Sequence, residues 1–134
     1  MRNGKWLWMA LCVLSAALLL GCASARNEKL DVTLLAYERA LRWSDYKAAF
    51  AMSDMSNAPV PDFERLQHIR VTSYEKIGAA QFSADGMKLI QVVEIRFVNV
   101  NRMTDRVLTD KQVWEYSEAE LRWKITSPFP TFLQ

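Results

Sequence analysis

The sequence predicts an α+β domain, with N-terminal helices on one face of an antiparallel sheet of about four strands. Three observations carry that prediction. An apolar stripe of helical period runs through Leu30, Leu34, Tyr37 and Leu41, at spacings of four, three and four. After residue 68 the period drops to two and turn signals recur. The elements also come as helices first and strands second, with short links. That order places sequential strands side by side and the helices on one face.

Residues 1–5 carry Arg2 and Lys5 and no acid, and Trp6 to Leu20 is a run of 15 residues with only Ser15 polar. A basic start followed by an apolar run of 7–15 residues is the pattern of an export signal and predicts a signal-peptide helix. A membrane span needs about 20 apolar residues. Counting on through Ala25 would reach that length, which is the competing reading of an uncleaved anchor. The segment ends in Leu19-Leu20-Gly21-Cys22. Cys12 has neither Gly before it nor a polar stretch after it.

Residues 23–29 (ASARNEK) are small and polar and read as a short tether. Leu30 to Met52 reads as helix, broken near Trp43 by the cap residues Ser44 and Asp45, with a second short helix from Tyr46. Residues 53–61, holding Pro59 and Pro61, form a loop by composition, and Asp62 can cap one further turn. Ile69 to Ser83 is the first strand, and Ala84-Asp85-Gly86 is a hairpin signal. In Met87 to Val100, Met87, Leu89, Val93, Ile95 and Phe97 share one face, with Lys88, Glu94 and Arg96 on the other. Arg106 to Ser117 puts Leu108, Gln112, Trp114 and Tyr116 together. In the last strand, Leu121, Trp123 and Ile125 alternate with Arg122 and Lys124. Pro128 and Pro130 end the sheet because proline cannot donate to a ladder.

Two resemblances add to this. Leu19-Leu20-Gly21-Cys22 resembles the lipobox of bacterial lipoproteins. It implies cleavage between Gly21 and Cys22, diacylglycerol on the Cys22 sulfur and a fatty acid on the new amino terminus. Two or more chains anchor stably where one does not. The resemblance also implies a signal peptide over 1–21, a lipidated tether over 22–29 and one domain over 30–134. Ala23 in place of Asp after the cysteine implies the outer membrane, facing the periplasm. Separately, residues 36–50 (AYERALRWSDYKAAF) resemble the opening of the nuclear transport factor 2-like superfamily, which implies a curved, cone-like sheet around the helices. A cystatin-like arrangement with one helix is the fold alternative.

Composition narrows the function classes. Of 134 residues, 17 are Lys or Arg and 15 Asp or Glu, a net charge of +2 that belongs to Arg2 and Lys5 alone. The chain after Gly21 is electroneutral, which removes the case for nucleic acid. Its one remaining cysteine, Cys22, excludes an internal disulfide there. His68 is the only histidine, and a single imidazole makes no zinc site. Asp45 is explained as a cap, Glu94 lies on a polar face, and Tyr37 sits on the helix stripe; Tyr74 completes the available acid–base types. Neither a triad nor a phosphate loop is present. No catalytic residue, cofactor or metal is expected.

The expected function is therefore a non-catalytic envelope lipoprotein, held to the membrane through Cys22 and binding another envelope protein. The alternative is a binder of a small apolar ligand, or a weak enzyme, using the cone interior. Tyr37, Trp114, Tyr116 and Trp123 could line that interior. Phe129 and Phe132 either cover its open end or face a partner.

Overall fold

The computed structural model describes the backbone of residues 4–133 and the side chains of Met9 and residues 21–133. Arg2, Lys5 and the apolar run with Cys12, Met9 apart, lie outside the described side chains. Two compact units divide after Val32, Met1–Val32 and Thr33–Gln134. Among the described residues no helix is long and apolar enough to cross a membrane.

Helix α1 spans Gly4–Arg42. The tether expected at 22–29 lies within this helix. The stretch from Ala23 to Lys29 holds no Gly or Pro, and its Ala, Arg, Glu and Lys are good helix formers, so nothing in it stops the helix. The stop comes at the expected corner. Ser44 takes a left-handed φ of 59°, its amide donates to Leu41 O, and the Asp45 amide reaches back to Ala40 O at 2.8 Å. Asp45 then caps α2 (Tyr46–Phe50) by accepting from the Ala48 amide at 3.1 Å. Asp62 does the same for α3 (Phe63–Leu66), accepting from the Arg65 amide.

The rest of the second unit is a curved, open antiparallel sheet with a helix against it. Its strands are β1 (Ile69–Phe82), β2 (Lys88–Asn99), β3 (Thr104–Ser117) and β4 (Arg122–Ile125), in the order β1-β2-β3-β4. Each strand pairs with its sequence neighbour, as short hairpin links require. The turn between β1 and β2 uses Gly86 at φ 68°. A parallel bridge joins Ser53 to Ile125, so the start of the expected 53–61 loop edges the sheet beside β4.

The inward face follows the period of two. On β2 it holds Leu89, Gln91, Val93, Ile95 and Phe97, all buried; on β3 it holds Asp110, Gln112 and Trp114. Tyr37 and Leu41 of α1 are fully buried in the same unit. Side chains of this size contribute about 1.5–3 kcal/mol each on burial. Strand β1 behaves differently along its length. A bulge between Val71 and Ser73 shifts its register, so that the buried parity moves from Ile69 and Val71 to Tyr74. Residues 75–82 are exposed throughout.

Candidate functional site

The sheet's inward face carries one polar row, and β-strand register explains its assembly. Gln91 and Gln112 are directly opposite each other across β2 and β3, and Val93 faces Asp110. The β1 bulge turns Tyr74 onto the same surface. Gln112, fully buried, is the hub. Its Nε2 donates to Asp110 Oδ2 at 2.8 Å and to the Tyr74 hydroxyl at 3.0 Å. Its Oε1 accepts from Gln91 Nε2 at 2.9 Å and Trp114 Nε1 at 3.3 Å. Both amide donors and the amide oxygen are therefore used inside the protein.

The electrostatics follow from burial. Burial pushes the Asp110 carboxyl above its ordinary range, and the bond from Gln112 pulls it back in part. Burial likewise raises the Tyr74 hydroxyl, against the lowering effect of Gln112. Tyr37 is raised well above the usual phenol value by burial, then by Asp110 and Tyr74. Both phenols thus stay neutral at ordinary pH. Among the described residues the Tyr37 hydroxyl finds no hydrogen-bond partner, which costs about 1–3 kcal/mol.

A catalytic reading of this row requires access. Tyr37, Gln112 and Trp114 are fully buried, which leaves no surface on them for a substrate to contact. Tyr37 and Trp114 meet edge to face with centroids 5.2 Å apart. The row can hold strands in register, and it has no room for a substrate beside those three residues.

The other sequence candidates fall into distinct places. Tyr116 and Trp123 pair across β3 and β4 with centroids 5.6 Å apart, Trp123 buried and Tyr116 half-buried. Phe132 is buried against Phe97 at 5.1 Å and Tyr46 at 5.7 Å, which makes it a cover of the core. Phe129 is half-buried between Phe50 and Phe132. The Cys22 thiol is exposed on α1, next to an exposed Gly21. Glu94 forms an ion pair with Arg96 at 3.4 Å, and His68 is exposed. Among the described residues no group of acids, His and Cys could hold a metal.

An apolar cleft of about 360 Å³ lies between two proline-bearing segments, Pro59-Val60-Pro61 and residues 128–133, with Leu66 and Phe129 in its wall. Val60 is 71% exposed there. The sequence contains its signal in the paired proline segments, which by composition read only as a loop and a tail. Gln91 and Asp110 were also missed as members of a row. Their signal is a polar residue at the buried parity of an otherwise apolar strand.

No family model, curated protein or solved structure matches the chain.

Proposed function

We propose that the chain is an envelope lipoprotein, anchored by lipid on Cys22 and facing the periplasm from the outer membrane, whose domain docks another envelope protein without catalysing a reaction. The observation that carries the reading is Leu19-Leu20-Gly21-Cys22 placed directly after a 15-residue apolar run with a basic start. An exposed Cys22 thiol is consistent with modification at that atom. The closed core around Tyr37 and Trp114 supports the non-catalytic half. The apolar cleft beside the exposed Val60 is concave and mostly apolar in lining, which suits it to receive an apolar side chain of a partner.

Cys22→Ser tests the anchor in the native host. The variant is expected to take up no labelled palmitate, to run at precursor size and to leave the lipid-anchored fraction. Mature size with membrane attachment in that variant would overturn the reading. A photo-crosslinking residue at Val60, used in native membranes, is expected to give a reproducible product with an envelope protein. Absence of any product overturns the docking half alone.

A further inference from the structure

At the end of the sheet where β2 turns into β3, positive charge collects in a way the domain's neutrality hides. A concavity of about 160 Å³ is lined there by Arg65, His68, Arg102 and Arg106, together with Asn99, Asn101 and Thr104. No Asp or Glu among the described residues lines it. Among the described residues, Arg65, His68 and Arg102 form no ion pair or side-chain hydrogen bond. The guanidiniums of Arg65 and Arg102 share one depression with no ion pair among the described residues, and their charge calls for an anion.

The supporting frame is well held. Asn99 Oδ1 accepts from the amides of Asn101 and Arg102 at 3.1 and 3.3 Å, which fixes the turn carrying Arg102. The Val100 amide donates to His68 O at 2.9 Å, tying the segment before β1 to that same turn. Arg70 spends its guanidinium on the carbonyls of Gln67 and Ile69, bracing the chain on either side of His68. Asp62 caps the helix that bears Arg65. Beneath the cations lie the rings of Phe97 and Phe132, each almost fully buried. An apolar floor lowers the local dielectric and strengthens any charge pairing above it.

We infer that this concavity is a binding site for a phosphate monoester group. The guanidinium fork matches phosphate oxygens, and an imidazole and an amide can complete a tetrahedral oxyanion's contacts. The volume is below the usual 300–1,000 Å³ of drug-sized ligand pockets, so the recognised unit is about the size of a phosphoryl group with a few attached atoms. That group could belong to a free phosphate ester or to a lipid headgroup, and the chemistry of recognition is the same. The site does not depend on the anchor or docking readings above.

The test uses the full chain purified in non-ionic detergent and isothermal titration with three probes. These are inorganic phosphate, short-chain phosphatidic acid and short-chain phosphatidylcholine. Saturable phosphate binding is expected, weakening as salt rises. Arg65→Gln and Arg102→Gln should each weaken it about tenfold, because a lost charge-assisted bond is worth about that factor. Lys111→Gln, on an exposed site of β3, should leave it unchanged. Phosphatidic acid binding tenfold or more above inorganic phosphate assigns the headgroup; equal affinity assigns the free ester. No saturable binding of either phosphate probe overturns the site. So does phosphatidylcholine binding as tightly as phosphatidic acid, or Lys111→Gln weakening phosphate as much as Arg102→Gln. Both arginines are exposed, so circular dichroism of the variants should match the parent chain.

Discussion

Two polar groupings on one sheet differ in who satisfies them. In the row centred on Gln112, the two amide donors and the oxygen are matched by Asp110, Tyr74, Gln91 and Trp114, all inside the protein. In the concavity at the β2–β3 turn, Arg65 and Arg102 present donors outward. The first arrangement is a statement about the fold, since its groups have already found one another. The second is a statement about the surroundings, because its groups are held in place without being consumed.

The largest expected effect breaks the first grouping. Gln112→Leu strands the Gln91 amide, the Trp114 indole N–H and the Tyr74–Asp110 side in a dry interior. A loss of about 3 kcal/mol or more is expected in urea unfolding. A loss under about 1 kcal/mol would mean the row is not sealed. A smaller, pH-dependent effect concerns Asp110. Its carboxyl is raised in the folded state, so the native chain holds that proton more tightly than the unfolded chain does. Stability from this group is therefore present at acid pH and is lost as pH climbs from the unfolded value of 3.8 through the raised folded value. Asp110→Asn removes that loss while its side-chain oxygen still accepts from Gln112. The variant should gain on the parent as pH rises, with the gap closing below that unfolded value, measured by thermal melts across pH. The smallest effect is expected at the concavity. Arg65→Gln and Arg102→Gln should alter folding stability by no more than about 0.5 kcal/mol, as exposed substitutions do. A larger loss would make those arginines part of the scaffold and erase the contrast.

Much of the fold was legible because its signals are local. Asp45 and Asp62 could be read as caps from their neighbours, and Gly86 as a hairpin turn. The β2 face from Leu89 to Phe97 could be read from alternation alone. Register and bulges were not legible. The shift between Val71 and Ser73, which delivers Tyr74 to Gln112, has no local mark such as a glycine at the site. Gln91 sat at the right parity, yet a polar residue there gains meaning only opposite Gln112. That the expected tether over residues 22–29 continues the helix was marked in the sequence only by its lack of Gly and Pro. The concavity draws on residues 65 and 68, on 97–106 and on 132–133, three separate segments that only the fold brings together.

The bridge between Ser53 and Ile125 has a kinetic consequence. Strands β1 to β4 can zip in sequence, since each hairpin closes a short loop at small entropic cost. The bridge instead closes a loop across three strands, and no partner exists for Ser53 until Ile125 is in place. The backbone amides of Asp54 and Ile125, which donate across that junction, are therefore expected to join last. The contrast between neighbour pairing and this long-distance closure predicts the order of assembly.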